Sequence, residues 1–112
     1  MSEPEVIHED RAIVLRRGLD EKGWFYVEET YYPLPHYMNH VRYRISLSPT
    51  AKTCTLLKVW QGWAVGESGL TGSAFTRISL DEGEGEELRK RLRELKTPED
   101  FGELWDRLYW QE

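Results

Sequence analysis

Val41-Arg42-Tyr43-Arg44-Ile45-Ser46-Leu47-Ser48 alternates without a break, with Val41, Tyr43, Ile45 and Leu47 on one side and Arg42, Arg44, Ser46 and Ser48 on the other. Successive side chains of a β-strand point to opposite faces, so this octet predicts a strand with one apolar and one polar face. A sheet with a single apolar face needs a second layer to cover it, and the rest of the chain has to supply that layer.

Moving outward, Ser48-Pro49-Thr50-Ala51-Lys52 has turn chemistry, so residues 53–60 are expected to return antiparallel as a hairpin. Upstream, residues 12–17 and 24–32 also read as strands, joined by the Gly18-Leu19-Asp20-Glu21-Lys22-Gly23 turn. Pro33 and Pro35 end the second of these, because proline has no N–H to give to a ladder. Gly62, Gly66, Gly69 and Gly72 mark a loose connection to a last strand over residues 73–80.

From Asp81 the period changes. Leu88, Leu92 and Leu95 stand at helical spacing among charges, which predicts a helix over about 84–96. Thr97 then reads as an N-cap, Pro98 suits the first helical position, and Glu99 and Asp100 lie near the positive end of the dipole. Phe101, Leu104, Trp105, Leu108 and Tyr109 form the stripe of this second helix, over about 98–110, which assigns Trp105 and Tyr109 to the core. The expected fold is α+β: an antiparallel sheet of four to five strands followed by two C-terminal helices packed on one face. Residues 1–10 read as an acidic, flexible tail and residues 11–112 as one domain.

Composition sets the outer bounds. A chain of 112 residues with 39% apolar content and five Trp, six Tyr and three Phe can build one core. No apolar run approaches the roughly 20 residues that span a bilayer, and the acidic start is unlike a signal peptide, so a soluble, cytoplasmic protein is expected. The single cysteine, Cys54, has no partner for an internal disulfide and suits a reducing compartment as a small buried side chain. The net charge of −5 is unevenly spread. Residues 1–10 hold four acids and no Lys or Arg, residues 11–80 hold nine bases against five acids, and residues 81–112 hold six bases against eleven acids. A cationic module therefore lies between acidic ends.

Signs of catalysis are weak. His36 and His40 have the i, i+4 spacing of a helical metal pair, but they follow Pro33-Leu34-Pro35 and no third ligand is marked. Gly66-Glu67-Ser68-Gly69 lacks the spacing of a nucleophile elbow, and Glu28 and Glu29 point to opposite faces of a strand. No enzyme activity, catalytic residue, metal or cofactor is expected. The aromatics have a structural reading as cross-strand packing, which is the commoner use of Trp and Tyr in small sheets. Trp60 and Trp63 differ, because Gly62 between them leaves space in which a base or a partner's side chain could stack.

Lys58-Val59-Trp60-Gln61-Gly62-Trp63, the glycine-rich loop, and Arg77-Ile78-Ser79-Leu80-Asp81 running into the Leu88 and Leu92 helix together resemble a PC4-like transcriptional coactivator domain. With the octet before it, the resemblance spans about residues 41–95. It implies dimerisation through the helix and single-stranded DNA binding across the sheet, and Lys58, Trp60 and Arg77 match as contacts. Ser73-Ala74-Phe75-Thr76 carries no charge where that family is basic, and the second helix lies outside the pattern. Residue chemistry and resemblance together nominate Arg42, Arg44, Lys58, Trp60, Trp63 and Arg77 as a nucleic-acid-binding surface. The alternatives are an acidic module that binds or inhibits a protein partner, and a small-ligand pocket between the sheet and Tyr31 to Tyr37. Whether Lys58 and Trp60 share a face with Arg42 and Arg44 depends on strand register.

Overall fold

The alternating octet forms the fourth strand of a six-stranded sheet in a computed structural model that describes residues 3–32, 40–62 and 70–110. The strands are β1 (Glu5–Glu9), β2 (Ile13–Leu19), β3 (Phe25–Tyr31), β4 (His40–Leu47), β5 (Thr53–Gly62) and β6 (Leu70–Ser79), followed by α1 (Glu82–Glu94) and α2 (Pro98–Tyr109). Each strand pairs antiparallel with the next in an uncrossed meander. The architecture is α+β with both helices C-terminal, as expected, but the sheet has six strands and not four to five.

The added strand is β1, within the stretch read as an acidic tail. A bulge between Val6 and His8 turns Ile7 onto the core, and the Glu5 carboxylate accepts a 3.0 Å bond from Arg17 NH2. Acidic side chains at an edge strand face solvent, so their density hid the strand. β6 begins at Leu70, earlier than its composition suggests, because Gly72 within it is covered by Trp60 from β5.

Local chemistry sets the helix ends. Asp81 caps α1 through a reciprocal pair: its Oδ1 accepts from Glu84 N–H at 2.8 Å, and Glu84 Oε1 accepts from Asp81 N–H at 3.0 Å. Thr97 Oγ1 caps α2 by accepting from Asp100 N–H at 3.1 Å, with Pro98 at the first helical position.

Among the described residues the main core cluster lies on the helix-covered side of the sheet, while Val14 and Tyr26 are buried on the other face. Leu15, Val27, Ile45 and Leu56 meet Leu88 and Leu92 of α1 and Phe101, Leu104 and Leu108 of α2. Cys54 is fully buried here, and burial pushes its thiol pKa up to about 12. Tyr43 and Trp105 pack at the margin as an edge-to-face pair with centroids 5.1 Å apart. Tyr109, assigned to the core by its stripe, is instead 50% exposed and stands edge-on to Trp110. Phe101, Leu104 and Leu108 take the inward side of α2, and Tyr109 is left at the rim of a groove. No helix among the described residues is long and apolar enough to cross a membrane.

Candidate functional site

Register divides the nominated residues between two surfaces. On the face away from the helices, one row across the strands reads Arg16, Glu28, Arg44, Leu57, Phe75. The row on one side reads Gly18, Tyr26, Ser46, Thr55, Arg77, and the row on the other reads Val14, Thr30, Arg42, Val59, Ser73. Arg42, Arg44 and Arg77 thus come together on one face, joined by Arg16 and Phe75, which sequence reasoning did not nominate. Phe75 is 59% exposed. Its alternation with Arg77 was visible in the sequence, but the face of β6 was not.

One acid organises this face. Glu28 is only 7% exposed, and its Oε2 accepts from Arg44 Nε at 2.8 Å and also from Arg44 NH2. Arg42 Nε lies 3.9 Å from the other carboxylate oxygen. The Arg44 guanidinium is stacked 4.0 Å from the centroid of the buried Tyr26 ring, which lies over Gly18. A planar guanidinium held by a carboxylate and a ring face is fixed in orientation before any ligand arrives. Arg16 and Arg77 have no ion pair among the described residues, so the face keeps a net positive charge after Glu28 is counted.

Lys58 and Trp60 lie on the opposite, helix-covered side, opposite Tyr43 and Val41 respectively. There the sheet and α2 enclose an open groove of about 690 Å³. Its floor carries Glu29, Tyr43 and Lys58 in one row of the sheet, and Tyr31 and Trp60 in the next. Its far wall is Phe101, Gly102, Trp105 and Tyr109 of α2. Trp60 forms a side wall with its indole lying over Gly72, where a Cβ would come within 2.2 Å of it. Burial, with a smaller contribution from the nearby Glu99 charge, raises the Glu29 pKa above the usual carboxylate value. Tyr31 lines this groove, so the pocket expected beside Tyr31 to Tyr37 meets the described structure at that residue.

Trp63, His36, Tyr37 and the Gly66 to Gly69 loop lie outside the described residues. His40 opens β4 with its ring 6.0 Å from that of Tyr32. Among the described residues no group of three or more His, Cys, Asp or Glu side chains is placed to hold a metal. Glu28 and Glu29 project from opposite faces of β3, as their alternation required.

No family model, curated protein or solved structure matches the chain.

Proposed function

We propose that this protein is a non-enzymatic binding domain that holds single-stranded nucleic acid across the sheet face away from the helices. The reading rests on one observation: Arg16, Arg42, Arg44 and Arg77 share one sheet face with an exposed Phe75, which stands on the edge strand β6 beside Arg77 and two strands from Arg42 and Arg44, and the acid of that face, Glu28, is buried beneath two of the arginines. Arginines supply phosphate contacts, and an exposed ring supplies a stacking platform that does not depend on base identity. The acids of the C-terminal segment belong to the helical layer, so the net charge of −5 does not describe the charge that a ligand meets on this face. Lys58 and Trp60, which the PC4-like resemblance would use together with Arg77, do not share its surface. The proposed contact set is therefore the arginine face alone. A cytoplasmic setting belongs with this reading, and the buried thiol of Cys54 suits it.

Fluorescence anisotropy with a labelled single-stranded oligonucleotide tests the proposal. Binding is expected at micromolar protein in low salt, weakening as salt rises with a log–log slope of about −0.7 per phosphate contacted. The double substitution Arg42→Ala, Arg77→Ala should weaken binding by roughly tenfold or more and flatten the slope, while Lys58→Ala should leave both unchanged. Absence of binding in low salt, or a Lys58→Ala effect as large as that of the arginine pair, overturns it. Capture of a protein partner that survives nuclease treatment would then point to the acidic interaction module.

A further inference from the structure

The groove behind α2 has three properties that the arginine face does not explain. Lys58 stands in it with no ion pair among the described residues, its Nζ 5.4 Å from the Tyr43 centroid and 5.9 Å from the Trp60 centroid. An ammonium flanked by two ring faces and lacking a carboxylate partner is placed to receive an anion from outside the chain.

The second property is a glycine inside a helix. Gly85 of α1 is required by the protein's own packing, because a Cβ there would lie 1.9 Å from the Ala51 carbonyl oxygen. Gly102 of α2 has no such requirement. A Cβ built on it meets nothing within 4 Å among the described residues, and Gly102 lines the groove. Glycine is unfavourable in a helix interior, so the protein gives up helix stability at this position and gains only volume.

The third is the lining. Tyr43, Trp60, Phe101 and Trp105 present ring faces and edges, which favours a planar occupant over a flexible chain. Glu29 and Asp106 also line the groove, so the one cation there, Lys58, can pair with a single carboxylate, while the two acids disfavour a phosphate dianion or a nucleic-acid strand more strongly than a monoanion. A volume of about 690 Å³ is that of a small-molecule site.

We infer that the groove is a second binding site, independent of the arginine face, for a small aromatic monocarboxylate whose carboxylate pairs with Lys58 and whose ring lies against Trp105 in the space over Gly102.

Isothermal titration calorimetry of the full chain with indole-3-acetate as the probe tests this, with indole-3-acetamide and decanoate as comparison ligands. Saturable binding of about one molecule per chain is expected for indole-3-acetate. Binding should be at least tenfold weaker for the neutral amide and for decanoate, and at least tenfold weaker for the Lys58→Met protein. Gly102→Leu should abolish binding while raising the melting temperature, which separates a filled groove from a misfolded one; Gly102→Ala provides a milder second variant. The Arg42→Ala, Arg77→Ala protein should bind indole-3-acetate as the parent does, so loss of oligonucleotide binding and loss of this site are distinguishable. No saturable heat up to millimolar ligand, equal affinity for acid and amide, tighter binding of decanoate, or unchanged affinity in Lys58→Met each overturns the inference.

Discussion

Single residues in this protein are judged by what stands opposite them, and the two interior helix glycines show it. Gly85 is pressed against the Ala51 carbonyl at the β4–β5 turn, so Gly85→Ala must push α1 off that turn. The expected loss is about 3 kcal/mol, measured by urea denaturation. Gly102→Ala adds a methyl group in open space and should gain about 1 kcal/mol through helix propensity alone. In the sequence the two residues look alike, each a glycine inside a charged helical pattern. Glu28 and Glu29 are similarly alike on paper. Alternation assigns them to opposite faces, but not that one is buried between arginines while the other lies in an aromatic groove with its pKa raised.

Among the elements, α1 is held differently at its two ends. Its start was legible in principle, since Asp81 and Glu84 have the spacing of a capping box. Its end has no glycine cap: Leu95 follows in an extended conformation, and the last carbonyls would be left without partners. Arg17 of β2 supplies them, donating from NH1 to the carbonyls of Leu92 at 2.9 Å, Arg93 at 2.6 Å and Leu95 at 3.2 Å, while its NH2 holds Glu5 of β1. One guanidinium thus ties the edge strand to the helix terminus, where a cation also favours the dipole. Replacing Arg17 with Met keeps the aliphatic stem and removes these bonds. It should lower stability by about 2 kcal/mol and the melting temperature by roughly 8 °C, with the circular dichroism of α1 lost in the same transition. A contact across more than seventy residues of sequence has no local signature, so neither this cap nor the strand it anchors could be read in advance.

Across the whole molecule, one core joins sheet and helices, and Cys54 reports on it. The thiol is fully buried with its pKa pushed up to about 12, so in the native protein at neutral pH it is neither accessible nor ionised. Labelling with a thiol reagent should therefore proceed only through global opening, at a rate that rises with urea along the same slope as unfolding. Labelling at the rate of a free thiol in the absence of denaturant would show that the helical layer opens independently of the sheet.

The sequence by itself determined what depends on near neighbours. Strict alternation over residues 41–48 placed Tyr43 and Ile45 on the core side and Arg42 and Arg44 opposite them. Thr97-Pro98 started the second helix, and the change of period at Asp81 separated sheet from helices. Only the tertiary structure decided that Lys58 and Trp60 face away from those arginines while Phe75 and Arg77 join them. The reason is parity. Side chains alternate with a period of two, so a turn longer or shorter by one residue would exchange the faces of β5 and β6. The count is set where Ser48 N–H donates to the Thr53 carbonyl, Ser48 Oγ accepts from Lys52 and Thr53 N–H, and Ala51 takes a positive φ of 58°, a conformation its side chain does not announce.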